Sequence, residues 1–338
     1  MKQLIFPFAV RGHGRRLSFF LAAEEWVAMA MPRDEWFFSW VVEPTVICGR
    51  NQDIAREVDL GYCREHGIDV VRRRSGGGCV YADGGNIMTS YICSVGSRTY
   101  EEIFREYTES IAAQLRKMGF DATAGGRNDV FVGGRKISGG AFYRLGDKAI
   151  SHSTMLYYTD PANMSRAITP NRAKLSAKGV SSVASRITTA REQNPAMSFD
   201  DFHSGLLSGL CDNSYIVSDS QLQEIEEIER RYREASWLRI DERSDGLTCK
   251  TRHIAGLGTM TARVAIDAGD IIKSLNLSGD LLDETDLEAL SRELIGQSTT
   301  EYTVTQTLNN KLNKQYGKDA IRAIARLIVD AARESQKQ

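Results

Sequence analysis

Proline is scarce in this 338-residue chain, with six in all, so long Pro-rich disorder has little to be built from. No run of 18 or more apolar residues occurs, which excludes a membrane-spanning helix, and a mean hydropathy of −0.33 agrees. Neither sign of charge prevails. The 43 Lys and Arg stand against 44 Asp and Glu, which removes the global basic footprint of a nucleic-acid-binding protein and leaves room only for a local patch. The six cysteines, Cys48, Cys63, Cys79, Cys93, Cys211 and Cys249, contain no Cys-x-x-Cys pair. Neither a disulfide framework nor a zinc site is signalled, and they read as mostly buried thiols. Residues Met1 to Arg16 carry a short apolar run broken by Pro7 and then an Arg/His/Gly cluster, unlike the long apolar core of a secretory signal. A cytoplasmic address and no membrane partner are expected.

The length suggests two domains at about 150 residues each. Arg16–Met31 has helix-spaced apolar residues with Glu24 and Glu25 in its middle and predicts an amphipathic helix. Strands are expected at Trp36–Val42, Thr45–Cys48, Val70–Arg72, Asn86–Val95, Val130–Val132, Arg135–Tyr143 and Lys148–Tyr158. Helices are expected at Leu60–His66, Tyr100–Met118, Phe199–Cys211 and Gln221–Glu234, with a long polar loop from Ala173 to Gln193. The run Glu224–Glu234 reads as a solvated helix face held by the i,i+4 pairs Glu226–Arg230 and Glu227–Arg231. A composition shift at Ser236–Gly246 divides the chain into residues 1–243 and 244–338. The second part predicts a hairpin turning at Ala268–Asp270 and three helices. The fold class expected is α+β, a large mixed domain followed by a small α+β one.

Glycine is the sharpest signal. Eleven of the 29 glycines fall within residues 76–85 and 125–140. Clustered glycine after a strand lets backbone N–H groups approach an anion closely. Before the first cluster stands Arg72–Arg73–Arg74–Ser75, which offers guanidinium forks and a hydroxyl. Neither G-x-x-x-x-G-K-[ST] nor a Rossmann G-x-G-x-x-G is present, so the usual nucleotide folds are disfavoured. The second cluster holds Asn128 and Asp129, followed by Lys136–Ile137–Ser138–Gly139–Gly140–Ala141. An Asp can hold magnesium and a Lys can neutralise phosphate oxygens. Together with the arginines these suit activation of a carboxylate by a nucleoside triphosphate.

These residues resemble the lipoate–protein ligase A family of the biotin/lipoate ligase superfamily. RRRSGGGCVYADGGN (Arg72–Asn86) is similar to its Arg, Ser, triple-glycine and D-x-G-N signature, and GRNDV…GRKISGGA (Gly126–Ala141) to its N-D and K-[IV]-S-G blocks. FFLAAEEWVA (Phe19–Ala28), VICGRNQD (Val46–Asp53), HSTML (His152–Leu156) and KLSAKGVSSVASRIT (Lys174–Thr188) resemble further blocks in the family's order. The resemblance implies a biotin/lipoate-ligase-like catalytic domain, with mixed sheets flanked by helices, and an accessory C-terminal domain. It implies a ligase that makes lipoyl-adenylate from lipoate and MgATP, then transfers the lipoyl group to a lysine of carrier domains, those of 2-oxoacid dehydrogenases and the glycine-cleavage H protein. Lys136 is the implied catalytic residue, touching the acyl carboxylate and α-phosphate. Arg73, Ser75, Gly76, Gly77 and Gly78 would hold the carboxylate end and nucleotide, Asn128 the adenylate and Asp129 the Mg²⁺. Asn86, Ser138, Ala141 and Thr154 would line the same cleft, with Lys178 and Arg186 on the closing loop.

The chain departs from the family where Ala82 replaces a His before Asp83, and where Ser151 and Ser153 replace a His and a Gly. Octanoate or another short acyl acid is therefore a conceivable substrate. Rival readings are a transferase limited to preformed lipoyl-adenylate, a cysteine-dependent octanoyl or lipoyl transferase, and a non-catalytic acyl- or nucleotide-binding relative. The cysteine route needs a thiolate near Lys136, and no cysteine lies between Cys93 and Cys211; Cys79 reads as a small packed residue. His152 reads as a packed, hydrogen-bonded histidine.

Overall fold

The computed structural model describes every residue except 9–14, 127, 160, 169–185, 241–246 and 337–338. The expected division at residue 243 and the closing-loop residue Lys178 lie outside the described residues. The strands are β1 (Lys2–Ile5), β2 (Trp36–Trp40), β3 (Thr45–Cys48), β4 (Asp69–Arg72), β5 (Val80–Ala82), β6 (Asn86–Ser94), β7 (Ala122–Gly125), β8 (Asp129–Val132), β9 (Arg135–Leu145), β10 (Lys148–Leu156), β11 (Asn213–Ile216), β12 (Thr248–Ile254), β13 (Gly258–Ile266) and β14 (Ile272–Gly279). The longer helices are α1 (Leu17–Ala30), α2 (Tyr100–Lys117), α3 (Phe199–Ser208), α4 (Asp219–Tyr232), α5 (Leu287–Leu294), α6 (Glu301–Leu312) and α7 (Lys318–Ser335). No helix among the described residues is long and apolar enough to cross a membrane.

An eight-stranded mixed sheet in the order β11-β1-β2-β6-β10-β9-β8-β7 forms the centre. β11, β1 and β2 run parallel and the remaining neighbours antiparallel. Alternation along each strand sorts side chains onto its two faces. Phe38, Ile92 and Ile150 pack with α1, while their neighbours Phe37, Tyr91 and Ala149 join Ile103, Tyr107 and Ile111 of α2. A small sheet β4-β3-β5 lies beside it. Thr99 and Glu102 close a capping box at the start of α2, as Ser218 and Gln221 do for α4, so both helices begin where the sequence supplies a hydroxyl and a partner three residues on.

β12-β13-β14 form an antiparallel sheet whose apolar core, with α5, α6 and α7, runs from Ile254 to Ala332. Its β13–β14 turn is held by Asp267, which accepts from the N–H groups of Gly269 and Ile271.

The first helix is not amphipathic. Residues Leu17 to Ala28 are all buried, Glu24 and Glu25 among them, because α4 covers the side that would otherwise meet water. Among the described residues the expected Glu226–Arg230 and Glu227–Arg231 pairs on α4 do not form. Glu226 bonds to Arg15, Glu229 to Ser18 of α1 and Glu224 to Trp26 of α1, while Arg231 bonds to Glu25. Arg230 pairs with Glu227 one position closer than expected. The charged face of α4 is thus partly a packing face, and its charges meet polar groups on the helix beneath.

Candidate active site

The loop between β4 and β5 is built around a buried guanidinium. Arg73 donates to the Ser75 hydroxyl at 3.0 Å and to the carbonyls of Ile47 (3.0 Å), Gly76 (2.6 Å) and Gly78 (2.9 Å). Burial lowers its pKa, opposed by the nearby Cys79, Cys48 and Glu24. In a trans peptide the N–H points away from the preceding carbonyl, so the N–H groups of Gly77 and Cys79 turn away from Arg73. The Gly77 N–H meets the Leu281 carbonyl at 2.7 Å. Gly76 lies so close to that carbonyl that any Cβ would overlap it, and Gly77 has φ +92°. These two glycines are required by a close crossing and a left-handed turn. Arg72 is also committed to the scaffold, through the carbonyls of Gly49, Arg50, Gln52 and Leu238, and Arg74 pairs with Glu25 at 2.5 Å.

Ser75 ties the loop to the sheet. Its Oγ lies 2.7 Å from His152 Nε2, and His152 Nδ1 faces Glu24 at 2.9 Å. Ser90 and Tyr143 donate to the same carboxylate. His152 is packed and hydrogen-bonded, as its strand position suggested. The adjacent Glu25 points the other way and receives Arg74, Arg231 and Tyr232. Burial, with the charge of Glu25, raises the Tyr232 pKa well above its ordinary value and keeps the hydroxyl a donor.

From His152, β10 leads to the lysine. His152 and Thr154 lie opposite Ala141 and Gly139, on the face turned toward α1. Thr154 Oγ1 contacts the Gly139 carbonyl at 3.4 Å. A bulge between β8 and β9 skips Ile137, which points into the core under α2, and leaves Lys136 on the face of Gly139 and Asp129. Lys136 Nζ lies 2.6 Å from Asp129 Oδ1. This is a charge contact without hydrogen-bond angles, and no other donor among the described residues reaches that buried oxygen. A Cβ at Gly139 would collide with the Lys136 ammonium group.

The remaining sequence-predicted residues are distributed around this centre. Asn128 Nδ2 donates to the Gly140 carbonyl at 2.6 Å and locks the turn before β8. Asn86 donates to Asp83 at 3.0 Å, while its buried Oδ1 has no partner among the described residues. Ser138 points to the opposite face of the sheet, lining a small cavity with Tyr107, Asn128 and Ser153. Ser153 is on that face too, bonded to Thr89 and Tyr107, so it does not narrow the space beside His152. Arg186 is half-buried, and the next residues return the chain to the site: Ile187 bridges to Lys136 and the Thr188 N–H donates to its carbonyl.

Residues 50–53 hold the C-terminal sheet against this site, which the sequence did not announce. Arg50 pairs with Asp286 at 2.8 Å, Asn51 donates to the Thr285 carbonyl, and Asp53 pairs with Arg263 at 3.0 Å. Glu24 and Glu25 were visible as two charges in an apolar helix, a signal of buried partners, but the sequence could not name them. Among the described residues no group of three or more His, Cys, Asp or Glu side chains could hold a metal by itself. The Asp129 carboxylate nevertheless offers hard oxygen donors of the kind magnesium takes alongside phosphate.

The chain is similar to known proteins along most of its length. The family described as "Lipoyl protein ligase A/B catalytic domain" matches residues 17–210, and "Bacterial lipoate protein ligase C-terminus" matches residues 248–328. The chain is 34% identical over 224 residues to lipoate–protein ligase 1 of Staphylococcus aureus, covering 64% of this chain and 68% of that one. It is 28% identical to lipoate-protein ligase LplJ of Bacillus subtilis over 306 residues, 88% of this chain and 91% of the relative. In fold it is similar to P. falciparum LipL1 in complex with lipoate, at TM-score 0.76 and 17% identity over 98% of this chain and 99% of the other. It is also similar to a bipartite lipoate protein ligase of Thermoplasma acidophilum solved with its E2 lipoyl domain (TM-score 0.62, 24% identity, 73% and 98% covered). A lipoate-protein ligase A bound with ATP gives TM-score 0.61 at 22% identity, with 71% and 98% covered.

Proposed function

The chain belongs to the lipoyl protein ligase A/B catalytic-domain family and is an enzyme, a lipoate–protein ligase; from that premise we propose that Lys136 is its catalytic residue, in a two-step reaction through lipoyl-adenylate. The observation that carries the assignment is the Lys136–Asp129 pair at 2.6 Å. It sits on the sheet face that also presents His152 and Thr154, and His152 bonds directly to the glycine loop through Ser75.

In the first step the Lys136 ammonium draws the acyl carboxylate and the α-phosphate together and offsets their mutual repulsion. In the second it stabilises charge growing on the acyl oxygen as the acceptor amine attacks. Ser75, Gly76, Gly77 and Gly78 shape the loop that faces the nucleotide, and Arg73 fixes that loop from beneath through its carbonyls. Asn128 holds β8 and β9 in register beside the adenylate. Asn86, Ala141 and Thr154 form the wall, while Lys178 and Arg186 belong to the segment that shields the adenylate from water. Asp129 would hold Mg²⁺, which when bound neutralises phosphate charge. Ser138, on the opposite face, supports the wall from behind.

The proposal extends to the acceptors, lipoyl-carrier domains of 2-oxoacid dehydrogenases and the glycine-cleavage H protein, and to the cytoplasm, a compartment supplied with ATP. The relative solved with an E2 lipoyl domain supports the acceptor class. It also includes a division near residue 243, supported by the separate apolar core of residues 254–332. A cysteine route has little support: burial pushes the Cys63 and Cys211 thiols up to about 11 and raises Cys93, which keeps them protonated near neutral pH.

The test is the intact mass of a carrier domain after incubation with the protein, lipoate, ATP and Mg²⁺, beside a reaction given lipoyl-adenylate alone. A lipoyl increment in the first reaction is expected, and Lys136→Ala should reduce it about a hundredfold or more while keeping the wild-type melting temperature. An increment from lipoyl-adenylate alone would leave only the transferase. Near-normal ligation by the variant would remove Lys136 from the mechanism.

A further inference from the structure

The antiparallel pairing of β3 with β5 matches Thr45 with Ala82, Val46 with Tyr81 and Ile47 with Val80. One step further the register sets Cys48 opposite Cys79, and their sulfurs lie 3.2 Å apart as thiols. Directly opposed residues on such strands have Cα atoms about 4.5–5.5 Å apart, inside the span a disulfide can bridge. We propose that Cys48 and Cys79 form an oxidisable dithiol that hydroperoxides close to a disulfide, and that closure tethers the glycine loop to β3.

The two thiols are unequal in access. Cys48 is fully buried and Cys79 half-buried at the loop, so an oxidant meets Cys79 first. Arg73 sits between the segments that carry them, bonded to the carbonyl of Ile47 just before Cys48 and to that of Gly78 just before Cys79. The Cys79 thiolate attacks one peroxide oxygen, the O–O bond breaks, and Cys79 becomes a sulfenic acid with hydroxide released. The Cys48 sulfur then attacks the sulfenic sulfur, the S–O bond breaks, and the hydroxyl leaves with the Cys48 proton as water. Overall, two thiols are oxidised to a disulfide and one hydrogen peroxide is reduced to two waters.

The strands have no slack where they would be drawn together. Gly49, directly after Cys48, lies against the Gly77 carbonyl so closely that a Cβ would overlap it, and Gly78 directly precedes Cys79. Shortening the sulfur separation from 3.2 Å to a bond of about 2.05 Å therefore pins the residue that follows Gly76–Gly78 to β3 and restrains the loop against adjusting to a ligand. The functional consequence rests on the proposal that this loop receives the adenylate, and oxidation should then switch the ligase off reversibly.

The experiment treats the full-length protein with hydrogen peroxide, desalts it, and divides it into an untouched portion and one reduced with dithiothreitol and desalted again. Lipoate added afterwards never meets the reductant. Expected are a non-reducing peptide map linking Cys48 to Cys79, with loss of two hydrogens, and at least a tenfold loss of lipoyl-adenylate formation that reduction restores. Cys79→Ala should keep its own untreated activity through the same exposure, and Cys48→Ala should accumulate a dimedone adduct at Cys79. Absence of the cross-link, a cross-link with unchanged activity, or equal inactivation of Cys79→Ala would overturn the proposal. If the reduced wild type makes no adenylate, the ligase reading itself fails. Amide exchange of the peptide covering residues 74–80 then decides: a change on oxidation supports the loop switch, and identical exchange overturns it.

Discussion

Gly139 lies beneath the end of the Lys136 side chain, and a methyl group placed there would stand 2.6 Å from Lys136 Cε and collide with Nζ. The obstacle would be the far end of a flexible side chain, so the lysine would move and the fold would survive. Gly139→Ala should therefore melt within a few degrees of wild type yet lose most adenylate formation, approaching the Lys136→Ala level. Calorimetry beside an adenylation assay checks both halves, and full activity would show that the position of the ammonium group is not limiting.

Asp129 has one buried oxygen whose partner is the Lys136 ammonium. Replacing it by Asn keeps the shape and removes the charge. Asp129→Asn should raise the Mg²⁺ concentration needed for half-maximal adenylation several-fold, while transfer from preformed lipoyl-adenylate changes less. A magnesium titration of both half-reactions separates the two effects, and an unchanged Mg²⁺ requirement would take Asp129 out of metal binding.

Glu24 is fully buried and accepts from His152, Ser90 and Tyr143. Glu24→Ala would leave three buried polar groups without their acceptor, a loss of about 3 kcal/mol. Urea unfolding should show a lower midpoint with an unchanged slope. An unshifted midpoint would mean that water replaces the carboxylate at little cost.

Asp286 links the C-terminal part to Arg50 and caps α5 through the Ala289 N–H. Burial alone would raise its pKa, but the Ala289 N–H and the Arg50 charge outweigh burial and the net direction is downward. A folded value below the unfolded one means that Asp286 contributes fully above the unfolded pKa of about 3.9. That contribution is lost as the pH falls through the folded value. Stability should therefore decline on acidification from pH 4 downward, and Asp286→Asn should flatten this part of the profile. Denaturation midpoints of both proteins across the acid range measure it.

Legibility in the sequence followed the range of the contacts involved. The helices over Tyr100–Lys117 and Lys318–Ser335 and the β13–β14 hairpin were readable because their signals lie within a few residues: a cap, a periodic apolar stripe, an Asp-held turn. β1 and β11 are strands because they pair with each other and β1 with β2, and β5 and β7 because they pair with β3 and β8, contacts with no local signal in sequences that lack the β-branched runs of β3, β4 and β8. The seven-residue β12 hides behind a mixed polar sequence whose outward face is exposed. Lys136, the glycine clusters and Asp129 were visible as motifs, but the work of Arg73 was not. Three arginines in a row suggested hands for a ligand, whereas the bonds of Arg73 run to carbonyls of its own loop and of β3. The charged face of α4 misled for a related reason: two polar surfaces that pack on one another look, in sequence, like two solvated ones.

The two carboxylates of α1 also order events in time. Glu24 waits for His152, 128 residues later, and Glu25 for Arg231, 206 residues later. A growing chain that has reached only β9 already holds Arg74 for Glu25 and Ser90 and Tyr143 for Glu24, but neither carboxylate has its full set of partners. Burying α1 then would leave both carboxylates in an apolar medium with part of their hydrogen bonds unmade, so α1 completes its packing only once β10 and α4 have emerged. Separation of partners on this scale slows folding. The ligase pocket is thereby tied to the completion of the catalytic half, and a chain cut short before residue 231 should expose α1 as a target for proteolysis.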